Sequence, residues 1–600
     1  MTTGARQGRP TGLRRLLAAA LPPQLEAFVL PGADVARTAG LDLAAAGLRL
    51  TATPRHASVL LIVGALPEGL RKAALVVFAQ MPRPRVLIAL DAGDLAPLPS
   101  ADVVGAAEQQ GLADSVAEAR RVLREEGWSL EARPLEAEGL VPKRRKKKKD
   151  RPAEKPAPED PNDNGQMDHG QMKQGAMEHG QMSPKQVGSG PADPGEMLHG
   201  DAKQGDTKQG GTQQDDTKQG DMKHGDMKHG GMGGSMDMGF MSMVRLTQHL
   251  PKSADGLPME RVQAPFGPFF PGLPSGLDLT LWLDGDTVAR VDLDGGTTAR
   301  GIGDTLAGDV ADLPSRLSRI DPLTPNSYRR LALQALWSAV QQEPEREAEL
   351  GWLGSVELER AASHLNWLAS FGYLIGYTWL AHRAAHWQLE LLRSKDFASV
   401  VRLEPVVDSF LERVSRTPLL SRKLRGVGQL GGELLEGVAG PVARASGLEL
   451  DARLGDPLYG SLGFEPVLRR EGDALARLTV RVEEIRGSLA LVRAAGRVGT
   501  AVKRSEVLVP TFPLATHVNA SPASRAAGEA VTTGEAKVET PRGEAMLELR
   551  VDGSQVANAK LVTPSSALLK LIERVAVGFE LADALTAIGS LDVSPWEAAR

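Results

Sequence analysis

Without a cysteine anywhere in its 600 residues, the sequence offers no thiolate to a disulfide, an iron–sulfur or nickel–iron centre, or a covalent nucleophile. The apolar fraction of 42% is that of soluble globular protein, and the length suits several hydrophobic cores. A formal net charge of -5 does not mark a nucleic-acid binder.

Composition divides the chain into a small folded domain over residues 1–140, a low-complexity linker over 141–243 and a large folded domain over 244–600. Near the start, Arg14, Arg15 and LLAAALPP imitate a secretory signal, but the apolar run is short and helical propensity explains it equally well. In the first part, VLLIVG (Val59 to Gly64) and VLIALD (Val86 to Asp91) are short apolar runs, ending in Gly64 and Asp91, that flank a helical segment near Gly69 to Ala79. Central parallel strands are covered on both faces and read as such runs, so the spacing predicts a βαβ unit and an α/β parallel-sheet domain. Asp102 to Glu126 is predicted to be a helix pair that stops at Gly127.

The linker opens with KRRKKKK, Lys143 to Lys149. Seven adjacent cations face water or a polyanion: either a solvated tail, or a contact with anionic lipid or an acidic partner. A five-residue repeat follows, as in QMDHG (Gln166 to Gly170) and DMKHG (Asp221 to Gly225). It has no apolar face of period 2 or 3.6, so disorder is predicted. Its thioether and imidazole pairs, Met167 with His169, Met177 with His179, Met222 with His224 and Met227 with His229, are candidate soft-metal ligands, for copper above all. A plain tether is the alternative, and repeats reading DTKQG favour it.

In the large domain, GLDLTLWLDGDTVARVDLD (Gly276 to Asp294) alternates apolar and polar residues on both sides of Asp284-Gly285, which predicts a hairpin. A helix is predicted over Asn326 to Val340. A long one, or two meeting near Gly372 or Gly376, is predicted over Gly354 to Leu392. Within it, Leu365 to Ala381 is uncharged but shorter than the ~20 residues of a membrane span, which makes it a core helix. Leu475, Leu478, Val482, Ile485, Leu489 and Val492 lay one apolar stripe along a helix capped by Asp473. Strand periodicity then returns around Pro541-Arg542-Gly543, a turn read as structural, and Asp552-Gly553. The large domain is therefore α+β and mostly helical.

Five stretches in order resemble the family shared by the D-type subunit of complex I and the nickel–iron hydrogenase large subunit. They are LERAASHLNWLASFG (Leu358 to Gly372), GPVARASGLELDAR (Gly440 to Arg453), EGDALARLTVRVEEIRGSL (Glu471 to Leu489), VETPRGEAMLEL (Val538 to Leu549) and GSLDVSPWEAAR (Gly589 to Arg600). Thr53 to Gly93 resembles the B-type small partner subunit, which implies a flavodoxin-like first domain and a fusion of two subunits. The resemblance also implies that Asp321 and Thr324, and the region of Ser594 and Pro595, stand where hydrogenases place two CxxC motifs. A small-subunit cluster cysteine would fall at Gly93. Oxygen side chains do not replace soft thiolates around nickel and iron, so no cofactor is expected through cysteine.

Phe270 and Ser275 fall where the quinone-reducing branch has a histidine, which makes them candidate quinone-loop positions. A serine hydroxyl can hydrogen-bond a carbonyl but cannot become a cation near neutral pH. His364, Arg444, Asp451, Arg453, Arg477, Arg481 and Glu484 match family positions that line a polar cavity; buried ion pairs fixing the helices are the alternative. His382 and His386, four apart, lack a third ligand for a metal. The resemblance implies a redox-inactive structural or coupling subunit, peripheral on the cytoplasmic face of the inner membrane. Its partners would be integral ion-translocating subunits and other peripheral subunits of a complex I-like assembly. The alternatives are a quinone-reactive subunit fed by clusters on another chain, and copper binding through the linker.

Overall fold

The computed structural model describes residues 24–125, 261–294, 306–394, 396–496 and 532–598. Those on either side of segment 142–241 pack as one compact unit. The candidate linker ligands Met167, His169, Met177, His179, Met222, His224, Met227 and His229, and the basic run Lys143 to Lys149, lie outside the described residues.

Residues 24–125 build a five-stranded, wholly parallel sheet. Its strands are β1 (Leu25–Leu30), β2 (Leu48–Leu50), β3 (Val59–Val63), β4 (Val86–Leu90) and β5 (Val103–Gly105), in the order β2-β1-β3-β4-β5. That is the flavodoxin-like order. Helix α1 (Ala33–Thr38) follows β1, α2 (Glu68–Gln80) joins β3 to β4, and α3 (Gln109–Glu125) follows β5. Val59–Val63 and Val86–Leu90 are buried at every position because helices cover both faces. One face packs Val59, Leu61, Val86 and Ile88 on Leu112, Val116 and Ala119 of α3. The other packs Leu60, Ile62 and Leu87 on Leu70, Ala74 and Phe78 of α2, and Trp596, from the far end of the large domain, joins this cluster.

The predicted helix pair over Asp102 to Glu126 is corrected to a strand and one helix. Val103, Val104 and Gly105 pair in parallel with Ile88, Ala89 and Leu90, and the Asp102 carboxylate accepts from the Leu87 N–H at 2.8 Å, pinning the strand's start. Sheet pairing with β4 overrides the helical periodicity there.

The large domain opens with the antiparallel strands β6 (Val262–Phe266), β7 (Leu279–Asp284) and β8 (Thr287–Leu293). Asp284 faces Thr287 across the predicted hairpin turn. A second sheet, in the order β10-β11-β12-β9, combines β9 (Gly308–Asp309), β10 (Thr532–Thr540), β11 (Gly543–Asp552) and β12 (Gln555–Val562). Helix α4 (Pro325–Ala339) packs Leu331, Ala335 and Leu336 on Val538, Leu547 and Leu549 of this sheet. Its first-turn amides, which no helix can satisfy internally, donate to the Glu359 carboxylate, from Asn326 N at 2.6 Å and Ser327 N at 2.8 Å.

The helical body is built on α5 (Arg346–Leu374), α6 (Thr378–Leu392), α7 (Phe397–Ser415), α8 (Ala474–Ala495) and α9 (Leu581–Leu591). The predicted break between α5 and α6 falls at Gly376, whose φ of +77° is left-handed and suits glycine. In α8 the side chain of Asp473 accepts from Ala476 N, capping the helix. Leu478, Val482, Ile485, Leu489 and Val492 of α8 are buried in the core with Leu365, Leu368 and Phe371 of α5. Each such leucine contributes about 2 kcal/mol of apolar burial. The α5–α6 segment is thus core, and no helix among the described residues is long and apolar enough to cross a membrane.

Candidate functional site

The loop between β6 and β7 lies against the carboxyl ends of β1 and β2, beside the reversal of strand order where α/β sheets form ligand crevices. A cleft of about 310 Å³ opens there, within the range of small-molecule sites. Phe28, Pro31, Phe269 and Phe270 give it apolar walls, and Asp34 and Ser275 bring polar groups to it. Tyr373, half exposed, and His382, exposed, also line it.

Ser275 Oγ donates to both oxygens of Asp34, at 2.9 and 3.1 Å. Asp34 is buried, and its Oδ1 also accepts from Val35 N at 2.9 Å. The contact needs Gly32: a Cβ there would stand 2.0 Å from Ser275 Oγ and 2.3 Å from Asp34 Oδ1. One turn along α1, Arg37 donates from Nε to Gln388 Oε1 and from Nη2 to Asn366 Oδ1, both at 2.7 Å. Burial lowers the pKa of Arg37 from its ordinary value, and the charge of Asp34 opposes that shift. The small domain thereby reaches α5 and α6 through a neutral pair of amide acceptors. Phe270 sits edge-on to Phe266 with centroids 4.9 Å apart.

Deeper in the large domain, the structure brings together five of the seven predicted polar residues. Arg444 donates to Glu484 from Nε at 2.9 Å and lies 2.8 Å from both Asp451 and Glu539 through Nη1. Arg453 grips Asp451 in two-pronged fashion, at 2.9 and 2.7 Å. His364 Nε2 meets Glu484 Oε2 at 2.9 Å. Sequence reasoning missed Glu357, Arg360, Tyr459 and Glu539 in this cluster. Glu357 accepts from Arg360, from Tyr459 Oη at 2.8 Å and from Ser488 Oγ at 2.7 Å. Among the described residues, Glu357, Asp451, Glu484 and Glu539 share three guanidiniums, those of Arg360, Arg444 and Arg453.

The physical balance follows from that shortfall. Burial and the neighbouring Asp451 charge push the pKa of Glu539 up to about 7, despite Arg444. Burial also acts on Glu484, but Arg444 and the His364 bond outweigh it and hold this carboxylate well below its ordinary range. Burial lowers His364 to about 4, so its imidazole is neutral at pH 7 and donates from Nε2. Arg453, Glu484 and Ser488 also line a crevice of about 210 Å³ beside Gly487.

The other two predicted residues take a different place. Arg477 donates to Ser590 Oγ and to the carbonyls of Gly428 and Gly472, and Arg481 to the carbonyls of Ser590 and Leu591. Burial lowers Arg477 to about 9 and Arg481 to about 10. Arg481 also stacks over Trp367 and points Nε at Asp592 across 3.8 Å.

Asp592 belongs to a second buried cluster, which also takes in Asp321, Thr324 and Ser594. Arg542 Nη1 meets Asp321 Oδ2 at 2.7 Å, with Asp592 and Glu597 each 3.6 Å from its guanidinium. Thr324 Oγ1 donates to Asp321 at 2.9 Å, and Ser565 Oγ bonds both Glu597 and the Ser594 amide. The turn Pro541-Arg542-Gly543 thus delivers a central cation, and its structural role extends beyond the turn. Burial raises Asp592 from its ordinary value and Glu597 to about 7. A donor set of carboxylates and hydroxyls already closed on a guanidinium does not fit nickel and iron, which want soft donors. Among the described residues, no group of three or more His, Asp or Glu is placed to hold a metal ion. His382 and His386 both lie on α6, exposed, and His386 packs on Trp387.

A sequence profile described as "Respiratory-chain NADH dehydrogenase, 49 Kd subunit" matches residues 393–600. The D-type subunit of NADH-quinone oxidoreductase from Desulfotalea psychrophila is 25% identical over 313 residues, which cover 46% of this chain and 80% of the relative. Its counterpart from Koribacter versatilis, the second of that type there, is 27% identical over 387 residues, 54% of this chain and 93% of the relative. The large domain is similar in sequence to the D-type subunit of NADH-quinone oxidoreductase. The alpha subunit of the membrane-bound hydrogenase of Pyrococcus furiosus is also similar, at 27% identity over 376 residues, 55% of this chain and 86% of the relative. The chain thus combines a fold like that of this complex I component and the hydrogenase large subunit with a sequence that has no cysteine to ligate a metal.

Proposed function

We propose that the chain is a redox-inactive structural or coupling subunit, peripheral in a membrane-bound complex related to complex I or the energy-converting hydrogenases. The observation that carries this reading is the buried cluster around Arg542, whose ion pairs to Asp321, Asp592 and Glu597 lie beside Thr324 and Ser594, in the region where the resemblance would put a metal's thiolates. Residues 24–125 take the part of the B-type small subunit, supported by the flavodoxin-like strand order and by the contacts of Asp34 and Arg37 with the large domain. The partners are integral ion-translocating subunits, and the site of action is the cytoplasmic face of the inner membrane. Affinity purification of the full chain from its native membrane tests this. The expected result is co-isolation with integral membrane subunits and no stoichiometric iron or nickel in the chain. Recovery without membrane partners, or with either metal bound in stoichiometric amount, would overturn it.

A second reading rests on the cleft. Its position at Phe270 and Ser275, its apolar walls and its volume suit an elongated apolar molecule with one polar end, as a quinone is. Electrons would then come from clusters on another chain.

A further inference from the structure

From Arg413 to Arg425 the chain holds five cations, Arg413, Arg416, Arg422, Lys423 and Arg425, and no acid, although its net charge is -5. The stretch closes α7 and runs through the short helix Pro418–Leu424. All five of these residues are exposed. Arg416 pairs with Glu412 one turn back, and among the described residues no ion pair joins the other four to a carboxylate. Leu420 and Leu424 root the short helix in the core, while Leu419 faces outward, 78% exposed. Two contacts fix the segment against its neighbours. Arg413 stacks over the Trp379 ring at 4.5 Å, and Lys423 Nζ donates to the carbonyl of Ile375 at 3.0 Å. They set it beside the turn from α5 to α6, where Tyr373 is 44% exposed and Trp379 is half-buried.

We propose that this corner docks the subunit directly on the anionic headgroups of a bilayer. The proposal rests on reading the chain as a peripheral subunit of a membrane complex, and it assigns the surface by which that subunit meets lipid. The residue types favour lipid over an acidic protein. A protein partner needs carboxylates set opposite fixed guanidiniums and a socket for Leu419. A bilayer presents phosphates across its whole surface, and its acyl boundary takes up an apolar side chain without a preformed socket. Tyrosine and tryptophan beside lysine and arginine are the side chains that settle at a membrane–water boundary. On a negative leaflet each cation close to the surface adds to the affinity. That attraction fades beyond a Debye length, about 10 Å at 0.1 M salt, so it acts at contact and weakens as salt is added.

The test is co-sedimentation of the purified full chain with vesicles of phosphatidylcholine, or of phosphatidylcholine and phosphatidylglycerol in equal parts. Binding is expected to the mixed vesicles, to weaken with salt, and to be slight on phosphatidylcholine alone. Arg422→Glu with Arg425→Glu is expected to weaken it at least about tenfold, since each cation at such a surface contributes roughly a factor of five. Both positions are exposed, and circular dichroism checks that the fold is kept. Leu419→Ser is expected to weaken binding and leave its salt dependence in place. Arg550→Glu with Lys560→Glu makes the same charge change on β11 and β12 and is expected to leave binding largely unchanged. Equal loss in the two double variants overturns the assignment, because net charge alone then explains it. Loss only when Lys143 to Lys149 are replaced by serine overturns it too, because the binding then belongs to that basic run. A chain that co-isolates with integral membrane subunits but ignores the mixed vesicles overturns lipid docking and leaves the peripheral reading standing. Release of those subunits by the Arg422 and Arg425 changes, with vesicle binding unaltered, gives the corner to a protein partner and overturns the proposal.

Discussion

Arg542 and Asp321 meet at 2.7 Å across 221 residues of sequence, and both side chains are withdrawn from solvent. The pair ties the β10–β11 turn to the segment before α4, and Asp592 and Glu597 close on it from the end of the large domain. Burial and three acids act in opposite senses on this guanidinium, and the acids prevail: its pKa is raised.

Removing that cation strands its partners. Arg542→Leu is expected to destabilise the protein by about 3–5 kcal/mol, the usual consequence of leaving buried charge unpaired, and Arg542→Lys by less. Urea unfolding followed by circular dichroism measures both. A loss below ~1 kcal/mol for Arg542→Leu would show that the cluster does not bind its segments together.

His364 supplies a pH signature. Its folded pKa of about 4 lies below the ordinary 6.5 because burial disfavours the cation. Its contribution is therefore fully present above pH 6.5 and is lost as the pH falls toward 4, to the extent of roughly 3 kcal/mol. His364→Gln, which carries no titrating group, should look destabilised at pH 7.5 and progressively less so at pH 5. A difference in unfolding free energy that stays constant over this range would contradict the assignment.

Glu539 titrates in the opposite sense. Its folded pKa is raised to about 7, so its contribution is present below pH 4.5 and fades as the pH rises through 7. Glu484 is held ionised by Arg444, whereas Glu539 is the surplus acid of the cluster. Glu484→Gln should cost about 3–5 kcal/mol at pH 7. Glu539→Gln should cost less, and its deficit should shrink from pH 6 to pH 8. The reverse order of the two at pH 7 would refute this division of charge.

Gly32→Ala tests the cleft's geometry. The added methyl overlaps Ser275 Oγ and Asp34 Oδ1, and a loss of about 1–3 kcal/mol is expected from overpacking. Adding Ser275→Ala removes one of the two collisions and should restore part of that loss. Thermal unfolding of the four-member cycle reads the coupling. Strict additivity would mean that Gly32 and Ser275 do not meet.

Much of the fold is legible because its signals are local. The runs at Val59 and Val86, the Asp284-Gly285 turn and the Asp473 cap each announce themselves within a few residues. The segment Asp102 to Glu126 misleads because it hides a three-residue strand whose only evidence is its neighbour β4. The polar clusters are legible in part. Arg444, Asp451, Arg453 and Glu484 stand out because they interrupt apolar segments. Arg360 and Glu357 sit three apart on α5, a spacing that exposed helix pairs share, yet both are wholly buried. Ser275 is legible and Asp34 is not, because 241 residues separate them and neither carries a mark of the other. The signal that could have found Asp34 is positional: a carboxylate just after a first parallel strand, at the crevice of an α/β sheet.

Trp596 completes a wall of apolar side chains under the small domain's sheet, beside Leu60 and Leu87, although the large domain lies between them in chain order. During synthesis the small domain therefore waits, one aromatic short, until the ribosome has passed nearly the whole of its neighbour. The indole acts as a latch that shuts only when both domains exist, so the small domain has no finished interior while the large one is unmade.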